Sequence, residues 1–335
     1  MAREIGIVGA GGWGTALAKV LADKGERVTL WCHGAECYRD IVTQRENRLY
    51  LPGIELPANV TATQSLEAAV ANKLLVICAV PSHAVRAVFS AAAAMVSPHT
   101  LLLCGTKGLE EGALRTMGEL FSDIFGADNS KRQAFLSGPT FAIEVARGLP
   151  AAVTVAADFE PVAMTVQEIL NTQSLRVYTS TDVVGVQIGG VVKNIIAIAA
   201  GISDGLGLGQ NARAALITRG LAEMTRLAAR MGAQSITLAG LPGLGDLILT
   251  CAGDLSRNRG VGLQIAAGMS LAEITASTRS VAEGVRNTRS LYLLAQRLGV
   301  EMPIVEQMHA VLYGGKSPAA AVRDLMQRSL KSEAG

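Results

Sequence analysis

The spacing of apolar positions divides the chain in two. Over the first 180 residues, short apolar runs bounded by Gly, Pro and Asn alternate with stretches of helical periodicity, the pattern of a parallel sheet covered by helices. Residues 5–8 read as a buried strand, Ala16, Leu17, Val20 and Leu21 as the apolar face of a helix, and residues 27–31 as the next parallel strand. The nearly continuous run 73–80 predicts a strand buried on both faces. Residues 100–104 and 133–136 predict further strands, and residues 151–156 an edge strand of the same sheet. Residues 47–57, with two prolines and a glycine, predict a loop into a strand at 60–63. From Thr181 onward the pattern becomes long, Ala-rich and helical. The expectation is an α/β parallel-sheet domain over 1–180 and an all-α domain over 181–335.

Composition supports this division. Of 335 residues 50% are hydrophobic but only 4% aromatic, so the cores must be built from Ala, Val, Ile and Leu. The length suits about two domains. A formal net charge of +2 supplies no general field for nucleic acid or an acidic membrane, so anion recognition must be local. Cys32, Cys37, Cys78, Cys104 and Cys251 are scattered without a C-x-x-C pair. They predict buried free thiols in a reducing, cytoplasmic setting, with no metal site. Gly9, Gly11, Gly12 and Gly14 interrupt the apolar start that a signal peptide would need. The longest later apolar run, 183–202, carries Lys193 at its centre and predicts a buried helix, not a membrane span.

Candidate chemistry begins at Gly9-Ala10-Gly11-Gly12-Trp13-Gly14. The G-x-G-x-x-G spacing between a strand and a helix suits a chain that turns sharply, approaches a pyrophosphate and packs its helix closely. The helix N-terminus then offers unpaired N–H groups to the phosphates. Residues 31–33, Trp-Cys-His, stand where such a fold usually puts its ribose carboxylate. The absence of an acid there tilts the dinucleotide towards NADPH, with His33, Arg39, Arg45 and Arg48 as anion partners or, equally, as solvated surface charges. The predicted strands at 73–80 and 100–104 end in Pro81-Ser82-His83 and Gly105-Thr106-Lys107-Gly108, which holds Lys107 at the carboxyl rim of the sheet.

In the second half, Ile188, Val192, Ile195 and Ala199 form an apolar stripe and Lys193 falls off it. Two readings stand at this point: a buried lysine with a lowered pKa, suited to acid–base work, or a lysine extending to the surface. The run 240–247 reads as a glycine-rich connection that presents Asp246. In residues 254–260, Arg257, Asn258 and Arg259 follow Ser256, a helix cap or a set of donors for a phosphate monoester.

Taken together, these stretches resemble the bacterial NAD(P)-dependent glycerol-3-phosphate dehydrogenases over nearly the whole chain. The resemblance rests on residues 9–18, Val80-Pro81-Ser82-His83, residues 106–110 and 137–142, Lys193-Asn194, residues 243–247 and residues 256–259. It implies a Rossmann-type parallel sheet followed by an all-α domain, as in 6-phosphogluconate-dehydrogenase-like proteins. It further implies reversible reduction of dihydroxyacetone phosphate to sn-glycerol 3-phosphate for phospholipid synthesis, with NADPH or NADH. Under the resemblance Lys193 is the proton donor and acceptor. Lys107 and Asp246 line the reacting centre, with Gly138 and Thr140 beside the substrate. Ser256, Arg257 and Asn258 hold its phosphate, and Asn194 and Thr250 make further substrate contacts. Gly9, Gly11, Gly12, Trp13, Gly14, His33, Lys107, Ala142, Arg257, Val281 and Glu283 fall at cofactor positions. A homodimer is implied as well. The competing readings are a related two-domain dehydrogenase for a hydroxyacyl or hydroxyacid substrate, which would rely on a catalytic His, and a non-catalytic NADPH-binding sensor or scaffold.

Overall fold

A computed structural model describes residues 2–277, 282–330 and 332–333. Ten strands lie in the first 180 residues: β1 (Glu4–Val8), β2 (Arg27–Trp31), β3 (Glu46–Asn47), β4 (Leu51–Glu55), β5 (Val60–Thr63), β6 (Leu75–Cys78), β7 (Leu101–Cys104), β8 (Gln133–Ser137), β9 (Ala151–Ala156) and β10 (Leu175–Ser180). Eight of them form one sheet in the order β10-β9-β8-β7-β6-β1-β2-β5. Every neighbouring pair is parallel except β8–β9. Strand order reverses at β1, whose Val8 pairs with Trp31 of β2 on one side and Cys78 of β6 on the other. Such a switch point opens a crevice outside the carboxyl ends of the strands.

The period-2 geometry of strands sorts the core. Leu75 and Ile77 of β6 pack on one face with Ile5, Ile7, Leu17 and Leu21. Val76 and Cys78 pack on the other with Phe89 and Phe121. The helices Gly12–Asp23 and Ser82–Ala92 therefore cover opposite faces.

Two sequence expectations fail here. Residues 47–57 are not a plain loop: β3 and β4 pair antiparallel, and the hairpin docks on the glycine turn. Asn47, fully buried, donates from Nδ2 to the Ala10 carbonyl (2.8 Å) and Thr15 Oγ1 (2.7 Å). These strands are too short to show alternation, and a polar tie anchors them. Nor is β9 an edge. β10 covers it, with Leu175 and Val177 facing in and Arg176 and Tyr178 facing out, so the half-buried strand lies one place further out.

The helical half wraps the helix Val183–Gly205, whose residues 188–203 are all buried. Its apolar character is thus not confined to the predicted stripe. The helices Gly209–Arg230, Asp246–Ala252, Arg257–Ala266 and Glu283–Leu298 surround it. A Cβ on Gly201 would lie 2.0 Å from the Arg259 carbonyl oxygen, and one on Gly262 2.1 Å from that of Ile198. Backbone meets backbone at this crossing. The helix is long and apolar enough to cross a membrane, yet 83% of its apolar window is buried within the protein. All five cysteines are free and buried.

The glycine turn yields a paired stability test. A Cβ on Gly14 would stand 1.9 Å from the Gly9 carbonyl oxygen, whereas one on Gly11 meets no protein atom within 4 Å. Gly14→Ala is expected to lower unfolding free energy by about 1–3 kcal/mol. Gly11→Ala is expected to change it by less than about 0.5 kcal/mol. Urea unfolding at unchanged m-value distinguishes the two.

Candidate active site

At the switch point the chain leaves β1 through Gly9, whose φ of +117° and approach to Ala79 exclude a side chain: a Cβ would lie 2.8 Å from the Ala79 carbonyl. The helix Gly12–Asp23 follows, capped by no side chain, so its first N–H groups remain available to an anion. Trp13 lies beside Gly105, its Nε1 3.0 Å from where a Cβ would stand, and Ala142 beside Gly12. Gly9, Gly11, Gly12, Trp13, Gly14 and Ala142 thus share one neighbourhood. His33, beyond the end of β2, is exposed, its ring tilted against Trp31 at 5.6 Å. Arg45 is not an anion partner, because its guanidinium donates to the carbonyls of Leu56, Pro57 and Val60. Arg48 faces Gln44 and Glu46, while Arg39 is exposed.

Three distant segments converge where the helical half meets the sheet. The connection 240–245 lies so close to the central helix that a Cβ on Gly189 would be 2.3 Å from the Pro242 carbonyl oxygen. That approach sets Asp246 in the first turn of its helix, fully buried and directed at Lys193. Lys193 donates to Asp246 Oδ1 (2.5 Å) and Thr250 Oγ1 (2.9 Å). Thr250 in turn donates to the Asp246 backbone carbonyl (2.6 Å). From the loop after β7, Lys107 donates to Asp246 Oδ2 (2.6 Å) and the Gly138 carbonyl (3.3 Å). Gly190 leaves room for its stem, since a Cβ there would touch Lys107 Cγ at 3.2 Å.

Lys193 is 7% exposed and its ammonium ends on Asp246 and Thr250, so it is the buried lysine and not one that extends to the surface. Burial is the main force that lowers its pKa, to about 8; Lys107 adds to the lowering and Asp246 opposes it. Burial alone would push the Asp246 carboxyl up, but the charges of Lys107 and Lys193 hold it below the usual carboxylate range. One carboxylate between two ammonium groups leaves a net positive centre, suited to a developing oxyanion.

Around this centre, Asn258 Nδ2 donates to Asn194 Oδ1 (2.8 Å), and Asn258 Oδ1 accepts the Gly284 N–H (3.0 Å). Ser256 caps its helix by accepting the Arg259 N–H (3.2 Å). Arg259 is committed to Asp204 and Asp254 and lies outside the donor set. Arg257 is exposed, yet protein crowding on one side disfavours its charge and Glu283 offsets this. Thr140 Oγ1 donates to the Gly138 carbonyl (3.3 Å), next to Lys107. Glu283 accepts from Ser82 N–H (3.0 Å) and Ser82 O–H (2.7 Å), joining the helical half to the turn after β6. Val281 lies outside the described residues. Sequence reasoning missed Asn287, buried one turn beyond Glu283, which binds the chain on both sides of Gly108. The i, i+4 spacing of Glu283 and Asn287 at a helix start was its one signal.

Known proteins resemble the chain over nearly its whole length. Residues 4–163 match the family model for the NAD-dependent glycerol-3-phosphate dehydrogenase N-terminus, and residues 182–323 that for its C-terminus. The chain is 52% identical over 333 residues to a glycerol-3-phosphate dehydrogenase (NAD(P)+) of Citrifermentans bemidjiense, covering 99% of both chains. It is 53% identical over 327 residues to the protein of the same name from Anaeromyxobacter sp. strain K, covering 98% of each. The crystal structure of glycerol-3-phosphate dehydrogenase from Coxiella burnetii superposes with a TM-score of 0.93 at 41% identity, over 98% of this chain and 99% of that one. The chain belongs to the NAD-dependent glycerol-3-phosphate dehydrogenase family.

Proposed function

We propose that this protein, whose relatives are named glycerol-3-phosphate dehydrogenases (NAD(P)+), reversibly reduces dihydroxyacetone phosphate to sn-glycerol 3-phosphate with NAD(P)H and so supplies glycerophospholipid synthesis. The observation that carries this reading is Asp246 held between Lys193 and Lys107 at the carboxyl rim of a dinucleotide-type sheet. Residues 1–180 serve as the dinucleotide-binding domain and 181–335 as the substrate domain.

The glycine turn fits the cofactor. Gly11 faces open space where a pyrophosphate must approach, and the helix behind it carries no side-chain cap. Gly9, Gly12, Trp13, Gly14, His33 and Ala142 line this side, with Lys107, Arg257 and Glu283 reaching it from the substrate side. Residues 31–33, at the end of β2, carry no acid to repel a 2′-phosphate, which favours NADPH. The bound cofactor supplies a hydride to the ketone carbon.

Lys193 gives its Nζ proton to the ketone oxygen as that oxygen gains charge, and takes it back in the reverse direction. Lys107 stabilises the same oxygen electrostatically. Arg257, Ser256 and Asn258 hold the phosphate, which orients the carbonyl from a distance. Ser256 and Asn258 remain able to donate: the hydroxyl accepts from Arg259 and keeps its own proton, and Asn258 spends one of two Nδ2 hydrogens on Asn194. Asn194, Thr250, Gly138 and Thr140 complete the wall. The enzyme is a cytoplasmic homodimer with no nucleic-acid partner, its buried thiols suiting a reducing compartment.

Mixing the protein with NADPH and dihydroxyacetone phosphate is expected to consume reduced cofactor, read by its absorbance; binding without consumption would overturn the assignment. Lys193→Met is expected to lower kcat by about 10²–10⁴-fold while cofactor affinity is retained.

The pH dependence has a definite sign. Reduction needs Lys193 protonated, so its kcat/KM falls as pH rises through about 8, and oxidation, which needs the neutral amine, rises over the same window. Asp246→Asn removes the charge that raises the Lys193 pKa, so both limbs move to lower pH. Initial rates in both directions across that range check both statements.

A further inference from the structure

The helix Glu283–Leu298 begins by gripping two turns of the sheet domain. Glu283 takes both donors of Ser82. One turn later Asn287, 1% exposed, accepts the Leu109 N–H at Oδ1 (3.0 Å) and donates from Nδ2 to the Lys107 carbonyl (3.3 Å), with Glu283 Oε2 at 3.4 Å. Its carboxamide closes on both sides of Gly108. A Cβ on Gly108 would stand 2.4 Å from Ser82 Cβ and 3.1 Å from Asn287 Nδ2, so residues 107–109 are held between the two side chains.

Other buried polar residues of this helix behave differently. Thr288 donates to the Gly284 carbonyl of its own helix (2.7 Å), the usual way of satisfying a buried hydroxyl. Asn287 instead directs both ends of its amide at the backbone flanking a site lysine. Lysine carries its charge on a flexible four-carbon stem, so the ammonium is held only as well as its backbone and its terminal partners hold it. Asp246 and the Gly138 carbonyl hold the terminus.

We propose that Asn287 is a positioning residue for the reaction: by fixing the backbone on both sides of Gly108 it keeps the Lys107 ammonium against Asp246, and thereby sets the balance of charge around Lys193. Asn287 acts through the Lys107 backbone. The inference rests on the reading of Lys193 as the proton donor. The groups that face Lys193 are Asp246, Thr250 and Cys251 from the helix Asp246–Ala252 and Lys107 from the loop after β7. The Cys251 thiol is pushed up to about 12, mainly by burial, and stays neutral over the working range. Among the described residues, Lys107 is then the cation beside Lys193 that lowers its proton affinity.

The direction follows. Lys107 lowers the Lys193 pKa, so loosening Lys107 raises it. Asn287→Ala is expected to lower kcat for reduction by roughly 10–100-fold, the scale for a displaced site group, and to move the falling limb of the pH profile above that of the wild type. In a Lys107→Met background the same Asn287→Ala change is expected to cost nothing further, whereas a merely structural asparagine would cost the same in both backgrounds. Gly108→Ala strains the same grip from the other side and is expected to reproduce the shifted limb, which keeps the test open if Asn287→Ala fails to fold. A folded Asn287→Ala enzyme with an unshifted limb, or with equal losses in both backgrounds, overturns the inference alone. A wild type with no limb near pH 8 would remove the Lys193 reading and the inference with it.

Discussion

The buried carboxylate of Asp246 is the constraint on which the rest of the site depends. Removing two ammonium groups from water costs several kcal/mol each unless a counter-charge and hydrogen bonds are in place. Asp246 offers one oxygen to each, at 2.5 Å to Lys193 and 2.6 Å to Lys107. The compensation is deliberately incomplete, since one negative charge faces two positive ones. The lowering of the Lys193 pKa from 10.5 to about 8 corresponds to about 3 kcal/mol of destabilisation of the ammonium relative to water, which leaves the two protonation states balanced near pH 8. A lysine so poised can exchange a proton near neutrality, and the uncompensated positive charge suits an oxygen that becomes negative, the role we propose for this centre.

Bringing three charged side chains together from residues 107, 193 and 246 requires backbone to approach backbone. Small residues make that possible. Gly189 admits the Pro242 carbonyl, Gly190 admits the Lys107 stem, and Gly201 with Gly262 lets two helices touch. A side chain at any of these points would push one segment away from the others, and the ion pairs, which tolerate little displacement, would open. Packing of uncharged backbone therefore precedes the electrostatics, and the Ala- and Gly-rich composition of the helical half is its trace in the sequence.

Much of the sheet was legible because strands buried on both faces leave continuous apolar runs, as β6 does. The hairpin β3–β4 was not, because two residues of β3 cannot display alternation and its anchor is a single amide, Asn47. Lys193 was visible as an oddity on an apolar helix, but its burial was not. That burial comes from helices far along the chain closing over the side opposite the predicted stripe. Arg257 and Arg259 look alike in sequence, and only the placement of Asp204 and Asp254 shows that Arg259 is committed to ion pairs. Asn287 went unread because a carboxamide on a helix carries no chemistry of its own; its meaning lies in which backbone it meets.

The site is divided between the two halves of the chain. The helical half contributes Lys193, Asp246 and Thr250, and the sheet half contributes Lys107 and the Gly138 carbonyl. Neither half alone makes this centre: Lys193 with Asp246 is a neutral pair, and Lys107 by itself is a lone cation at the rim of the sheet. Only their apposition produces the positively charged centre. The joint between them must then be as well defined as the ion pairs it serves, because an ångström of slack at Gly108 is an ångström at the Lys107 stem. Two side chains on one helical turn, Glu283 and Asn287, meet this need with hydrogen bonds to main chain and to Ser82. Such bonds fix direction as well as distance, which packing of apolar surfaces across the same joint would not do.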